Sequence, residues 1–142
     1  MEYRRFENTY LVRLDKGDEV LAALKALCRK ENITLAVVQG IGAISDVSLA
    51  VRYRRTLVNK VVNYRGDMEI ASCTGTITAK DGAPYPHLHI VIANVAEKFC
   101  CGGHLERAVV SLNAEFTLTV CRGSAARVYC PESAIERIHF ES

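Results

Sequence analysis

The sequence predicts an α/β domain of the α+β type, with a mostly antiparallel sheet, one main helix and a few short ones. Three observations lead to this fold class. One early segment has the apolar spacing of a helix, most later segments are rich in β-branched and aromatic residues, and short turns separate many of them. Since 142 residues is a common length for one domain, we expect residues 1–142 to form a single domain.

The first two predicted elements are a strand and the main helix. Residues 10–14 have the composition of a strand, and Gly17 turns the chain after it. Asp18 is the expected N-cap of a helix that runs from Val20 to about Glu31. The apolar positions of this helix form one stripe, made of Val20, Leu21, Leu24, Leu27 and Cys28.

The remainder of the chain is predicted to be mostly strand. Residues 33–38 form a short apolar run, which we expect to be a buried strand that ends at Gly40 and Gly42. Five further segments carry the β-branched and aromatic residues typical of strands. These are residues 47–53, 58–64, 68–78, 87–95 and 113–120.

Turns and a second helix complete the prediction. Turns are expected at residues 65–67 and 80–84, where glycine, aspartate and proline supply the dihedral angles that a reversal needs. Such short connections favour an antiparallel arrangement of the strands that they join. A short second helix is expected at either residues 105–112 or residues 132–137.

Composition restricts the class of protein. Hydrophobic residues make up 49% and charged residues 24% of the chain, a balance that excludes disorder. No stretch approaches the roughly 18 uninterrupted apolar residues of a membrane span, and no signal peptide is recognised, so we expect a cytoplasmic protein without membrane association. The six cysteines are accordingly expected to be thiols. A net charge of +2 is weaker than the strongly basic balance of a dedicated nucleic-acid-binding protein.

Three histidines carry the main chemical signal. His87 and His89 are two residues apart in a strand pattern, so their imidazoles leave the same face. His104 follows Gly102 and Gly103, which would let a loop pass close to the sheet and deliver a third imidazole. Three histidines on one divalent metal, such as zinc, leave coordination positions open. The spacing fits equally well two histidines that line a polar cleft or form hydrogen bonds within the fold.

These motifs resemble those of a known family, the PPC (plants and prokaryotes conserved) domain. The resemblance is strongest in residues 82–89, Gly-Ala-Pro-Tyr-Pro-His-Leu-His, and in residues 102–105, Gly-Gly-His-Leu. It implies an α/β fold with a mostly antiparallel sheet and few helices, assembled as a homotrimer. Shorter matches in the same order extend over nearly the whole chain, at residues 13–14, 17–20, 40–43, 69–70, 74–76 and 114–115.

The resemblance implies first a DNA-binding or transcription-associated protein. The plant members join this domain to AT-hooks, Arg-Gly-Arg-Pro motifs that enter the DNA minor groove, whereas this sequence has no such motif and looks like a stand-alone prokaryotic member. Arg52, Arg54 and Arg55, supported by Lys60 and Arg65, are the residues expected to contact DNA. Alternatively, these arginines form only a solvated face at the end of a hairpin.

A metal-dependent enzyme of the zinc type, or a binder of small ligands, is the alternative function. Zinc in a three-histidine site lowers the pKa of a bound water to about 7. Glu115, at a position where the family also tends to carry glutamate, is the candidate general base or partner of a ligand. Arg13 is the candidate anchor for a small anionic ligand. Both residues could instead be structural, for example as a pair, and the metal could serve only to tie the segment around His104 to the strand or to fix the trimer.

Overall fold

The computed structural model describes residues 1–53 and 55–140, which form eight strands and one helix. The predicted fold class is confirmed, because the sheet is mostly antiparallel, although α1 is the one helix of these residues and no further short helices accompany it. The elements are β1 (Glu2–Phe6), β2 (Thr9–Asp15), α1 (Val20–Glu31), β3 (Ala36–Tyr53), β4 (Val58–Lys80), β5 (Ala83–Asn94), β6 (Phe99–Val120), β7 (Ala126–Cys130) and β8 (Ile135–His139).

All eight strands belong to one sheet, whose main path has the order β1-β2-β6-β3-β4-β7-β8. β5 lies off this path and pairs with both β4 and β6. The antiparallel pairings of β6 with β3, β3 with β4, β4 with β5 and β5 with β6 therefore form a closed ring of strands. The hairpin of β7 and β8 is joined to β4 by one parallel pair, Ala79 with Ala126.

The main helix forms with the predicted bounds, but its N-cap is Glu19 and the prediction of Asp18 is wrong. The Glu19 carboxylate accepts hydrogen bonds from two backbone N–H groups of the first turn of α1. Its Oε1 also accepts from the backbone N–H of Ala108 on β6. The Asp18 carboxylate instead accepts from the backbone N–H of Asp15. The longer Glu19 side chain thus reaches both the helix and the sheet.

Gly40 and Gly42 do not end a strand, contrary to the prediction. β3 continues through both glycines, so residues 36–38 of the first segment and the whole of the segment 47–53 belong to one strand. The register of β3 against β4 shifts between the two glycines. A Cβ at Gly40 would lie 2.3 Å from the ring of Phe116 on β6, so glycine serves here to let two strands approach closely.

One of the two predicted turns is confirmed. The chain reverses between β4 and β5 at Asp81 and Gly82, both with positive φ, inside the predicted segment 80–84. The turn predicted at residues 65–67 is wrong, because β4 continues through this segment. Its register against β3 shifts there, and Gly66 has φ +125°, so the extra residue is accommodated as a bulge.

Neither segment predicted as a second helix is helical. Residues 105–112 belong to β6, where pairing with β3 buries Leu105, Ala108 and Val110. Residues 132–137 form the turn and part of the second strand of the β7–β8 hairpin. A short apolar pattern fits a helix and a strand equally well, and in both segments the pairing with neighbouring strands favours the strand.

The core lies between α1 and the inner face of the sheet. On β5 the inward positions are Leu88, Ile90 and Ile92, which are almost fully buried in the same cluster as the apolar stripe of α1. Because side chains alternate along a strand, the residues between them face the other side of the sheet. In the described part of the chain no helix is long and apolar enough to cross a membrane.

Candidate metal centre

β5 places His87 and His89 on the outer face of the sheet, as their spacing predicts. Leu88 lies between them and is fully buried in the core, so the pleat of the strand directs both imidazoles the opposite way. β4 pairs with this part of β5, with Thr76 opposite His87. The core residue therefore fixes which face the histidines occupy.

β6 supplies His104, which stands directly opposite His89 in the antiparallel register of β5 and β6. The preceding glycines allow this close pairing, because a Cβ at Gly102 would lie 2.7 Å from the backbone oxygen of Ile90. A Cβ at Gly103 would lie 3.0 Å from a backbone oxygen of β3. The glycines therefore bring His104 to the sheet as expected, but as part of a strand and not as a loop.

The three imidazoles form one compact cluster. One nitrogen of each ring lies within 4.8 Å of the nitrogens of the other two. The ring centroids of His87 and His104 are 5.0 Å apart. The ring centroid of His89 lies 5.6 Å from that of His87 and 5.5 Å from that of His104. Nitrogens bound to one zinc ion stand roughly 3.3 Å apart, given Zn–N distances of about 2.0–2.1 Å. Small side-chain rotations would therefore bring all three predicted ligands onto one ion.

Burial lowers the pKa of two of the three histidines. It lowers the pKa of His87 to about 4, and the positive charge of Arg127 and the two other histidines add to the effect. Burial also lowers the pKa of His104, where the Glu106 carboxylate opposes the shift and His89 and Arg127 reinforce it. Both imidazoles are therefore neutral at pH 7, which is the form that binds a metal.

Glu106 is a neighbour of the cluster that the sequence analysis did not single out. Its Oε1 lies 3.8 Å from His104 Nε2. The two residues share one face of β6, because they are two positions apart in the strand. A carboxylate beside a ligating histidine can orient the ring and raise its basicity. The same spacing that links His87 with His89 could have identified it.

Arg127, on the hairpin of β7 and β8, is a second residue that the sequence analysis missed. Its Nε donates to Thr78 Oγ1 at 3.1 Å and its Nη1 to the backbone oxygen of Glu136 at 3.1 Å. The guanidinium also lies 5.3 Å from the centroid of the Tyr85 ring. With 8% exposure it is the one buried charged side chain in the described part of the chain. No motif around residue 127 marks it in the sequence.

The histidines and Arg127 line one cleft of about 470 Å³. Sites for small molecules typically have volumes of about 300–1,000 Å³. Arg52 from β3 also lines this cleft, and its Nη1 donates to Asn59 Oδ1 at 2.9 Å. The cleft therefore combines imidazoles, two guanidinium groups and the carboxylates of Glu106 and Glu136.

Glu115 and Arg13 lie away from this cleft. They stand opposite each other in the register of β2 and β6 and line a separate groove of about 620 Å³. Glu115 follows His104 by eleven residues along β6, so the structure does not bring it to the histidines, and its predicted role as a nearby base is not supported. Arg13 forms ion pairs with Glu2 at 2.9 Å and Asp15 at 3.0 Å, which offset its charge.

The structure describes two of the three arginines that were predicted to contact DNA, Arg52 and Arg55. Arg54 lies outside the described residues. Arg55 is exposed in the turn between β3 and β4. Arg52 is half-buried and faces the histidine cleft. Arg55 is therefore the described member of this set that is exposed on the surface.

The chain is similar to a known family and to several solved structures. The family model of the Plants and Prokaryotes Conserved (PCC) domain, the family called PPC above, matches residues 1–122. The comparison with curated proteins gives no match. A candidate DNA-binding protein from Bacteroides thetaiotaomicron is 28% identical with a TM-score of 0.94, and the match covers 99% of this chain and 98% of that one.

Two further structures share the fold. A candidate DNA-binding protein from Ralstonia eutropha is 30% identical with a TM-score of 0.90, over 98% of this chain and 96% of that one. A metal-containing protein from Archaeoglobus fulgidus is 21% identical with a TM-score of 0.87, over 98% of this chain and 97% of that one. At this lower identity the Archaeoglobus protein shows the fold alone.

Proposed function

The chain belongs to the family of the Plants and Prokaryotes Conserved (PCC) domain, and within that family we propose that it is a metal-binding protein. His87, His89 and His104 hold one divalent ion, with zinc as the favoured metal. The observation that carries this proposal is the convergence of three ring nitrogens within 4.8 Å at the wall of a cleft. A small ligand in that cleft would reach the coordination positions that three histidines leave open.

The residues present fit such an ion. Three imidazole nitrogens suit zinc and other late transition metals better than calcium or magnesium, which prefer oxygen. Burial keeps His87 and His104 neutral, so their ring nitrogens are available at pH 7.

The neighbours of the histidines determine what the site can do. Zinc, when bound, would polarise an oxygen of a ligand or lower the pKa of a water. Glu106, 3.8 Å from His104, is placed to orient that ring and is the acidic group nearest to a histidine of the cluster in the described residues. Arg127 supplies a fixed positive charge at the same cleft. The chain therefore provides ligands, an orienting carboxylate and a cation.

Elemental metal analysis tests this proposal. The parent protein and the variants are purified without chelator or affinity tag and then supplied with zinc. We expect one zinc ion per chain in the parent and in His139→Ala, a control histidine exposed at the end of β8. The His87→Ala, His89→Ala double variant should stay folded by circular dichroism and hold no stoichiometric metal. Equal metal in the double variant, or none in the parent, would contradict the proposal.

DNA binding is a second candidate function, favoured by the Bacteroides and Ralstonia relatives. Of the three arginines predicted to contact DNA, Arg55 is the one that the structure describes as exposed, and it would contact phosphate. Fluorescence anisotropy with duplex DNA at 50 and 200 mM salt tests this function. We expect affinity to fall steeply with salt, and Arg55→Ala to reduce the salt slope by about one per contact. Arg29→Ala, an exposed arginine of α1, is the matched control. No binding by the parent at 50 mM salt would rule this function out.

The family resemblance also leads us to propose a homotrimer. Light scattering would then give three times the chain mass of 15.7 kDa. A mass of 15.7 kDa at working concentration would contradict the trimer.

A further inference from the structure

We propose that the histidine cleft binds a small organic oxyanion, whose anionic group is held by Arg127 while another of its oxygen atoms faces the histidines. This inference rests on the proposed metal site and adds the chemical class of its ligand. It is carried by the unused hydrogen-bond donors of Arg127 and Arg52, by the position of Arg127 relative to the histidines and by the distribution of acidic groups.

Arg127 is a buried cation that has no acidic partner among the described residues. It keeps 8% of its surface exposed, and in the described part of the chain no carboxylate lies within 4.0 Å of it. Its contacts with Thr78, Thr76 and the backbone of Glu136 use three of the five N–H groups of a guanidinium. Burying a charge without a counter-charge is costly. A bound anion would supply the missing charge and accept the remaining N–H groups.

Arg52 presents a similar condition on another wall of the same cleft. Its Nη1 donates to Asn59, but its Nε is buried and has no hydrogen-bond partner among the described residues. Unpaired buried donors are uncommon in folded proteins, and each one calls for an explanation. Arg52 is therefore a second arginine of this cleft with an unused donor. It lies on β3, which borders the histidines from the side of β6, whereas Arg127 lies on the side of β4.

Arg127 lies next to the histidine cluster, on the side of β4. Its Nη2 donates to Thr76 Oγ1 at 3.4 Å, and Thr76 stands directly opposite His87 in the register of β4 and β5. Residues opposite each other in such a pair have Cβ atoms about 4.5–5.5 Å apart. Tyr85, whose ring packs against the guanidinium, shares the face of β5 with His87. A ligand of only a few carbon atoms could therefore reach from Arg127 to the histidines.

The acidic groups of the cleft do not compete for Arg127. Glu136 forms a 2.6 Å ion pair with Lys80, and Glu106 lies beside His104. Neither carboxylate lies within 4.0 Å of the Arg127 guanidinium. Carboxylates and phosphates both match the planar fork of an arginine, and the volume of about 470 Å³ suits a small molecule of either kind.

Isothermal titration calorimetry on the zinc-loaded protein tests the inference with two probes, malonate and inorganic phosphate, at constant ionic strength. Arg127→Met removes the charge but keeps a side chain of similar length. Arg137→Met removes an exposed arginine of the same hairpin and is the matched control. We expect binding of at least one probe by the parent and by Arg137→Met. Arg127→Met should weaken it by about tenfold to a hundredfold, while metal content stays unchanged.

The outcomes separate the two proposals. Normal zinc with equal probe affinity in Arg127→Met, or no binding of either probe, would overturn the oxyanion inference and leave the metal site standing. Absence of zinc from the parent would instead overturn the metal site. In that case binding of a probe to the metal-free parent, lost in Arg127→Met, would still support the anion site. Tighter binding of malonate indicates a carboxylate ligand, and tighter binding of phosphate a phosphorylated one.

A second measurement covers the case in which Arg127→Met fails to fold. A ligand that binds only the folded state raises the Tm. The zinc-loaded parent should melt at a higher temperature in malonate or phosphate than in chloride at equal ionic strength. An unchanged Tm in both probes would overturn the inference without any variant.

Discussion

His89 and His104 stand directly opposite each other across β5 and β6, with ring centroids 5.5 Å apart. On the other face of these strands Leu88, Ile90 and Leu105 are buried in the core. A slip of one residue in the pairing would turn these apolar side chains to solvent, so the core holds the register. The geometry of the histidine cluster therefore depends on the same packing that stabilises the fold.

The first prediction concerns the ligand that β6 contributes. His104→Ala should weaken zinc binding by about a hundredfold, because one of three nitrogen ligands is lost. Competition with a chromophoric chelator measures the affinity, and His139→Ala should bind as the parent does. An affinity within about threefold of the parent would mean that His104 is not a ligand.

The second prediction concerns the contact between β4 and the histidine strand. A Cβ at Gly75 would lie 2.0 Å from the backbone oxygen of His87. Gly75→Ala should therefore lower the free energy of unfolding by about 2 kcal/mol or more and displace β5. Urea unfolding measures this loss, and Ser72→Ala, at an exposed position of the same strand, is the control. Equal stability of the two variants would show that β4 and β5 can separate at little cost.

The third prediction concerns pH. Tyr3 and Tyr10 donate hydrogen bonds to the two carboxylate oxygens of Glu31 at 2.7 and 3.0 Å, and these bonds, that of Tyr3 foremost, lower the pKa of Glu31. A lowered pKa stabilises the fold above the pKa of the unfolded chain, about 4.3, and this contribution disappears as the pH falls through the folded value. Glu31→Gln should thus be less stable than the parent at pH 7, with a difference that shrinks at pH 3. A difference that stays constant in urea unfolding at both pH values would contradict this.

The fourth prediction concerns the cysteines, which are free thiols as the sequence analysis expected. Burial raises the pKa of Cys28 to about 11 and of Cys73 to about 12. Because the thiolate is the reactive form, both should resist alkylation in the folded protein, whereas the exposed Cys100 should react. Peptide mass spectrometry after brief iodoacetamide treatment measures this. Rapid labelling of Cys73 without denaturant would mean that the sheet opens locally.

Local patterns were sufficient for the helix and for part of the site. The stripe of apolar residues from Val20 to Cys28 predicts a helix with one buried side, and in the structure Val20, Leu24, Leu27 and Cys28 of α1 are buried. The alternation in His87-Leu88-His89 likewise placed two imidazoles on one face. In each case the residues that carry the signal are neighbours in the chain.

The missed features depend on pairing between distant segments. Arg127 reaches the cleft because β7 joins β4 through a single pair, Ala79 with Ala126, forty-seven residues apart. The segment 65–67 has the composition of a turn, but β3 pairs on both sides of it and absorbs the extra residue as a bulge. Single-sequence patterns contain no information on such pairings, so these features required the structure.

The measurement that tests the central claim most directly is anomalous diffraction at the zinc edge, from crystals of the zinc-loaded protein. We predict one strong peak per chain, between the side chains of His87, His89 and His104, with three nitrogen atoms at about 2.0–2.1 Å. No peak in the cleft, or a zinc ion bound at other residues while these three imidazoles stay apart, would contradict it.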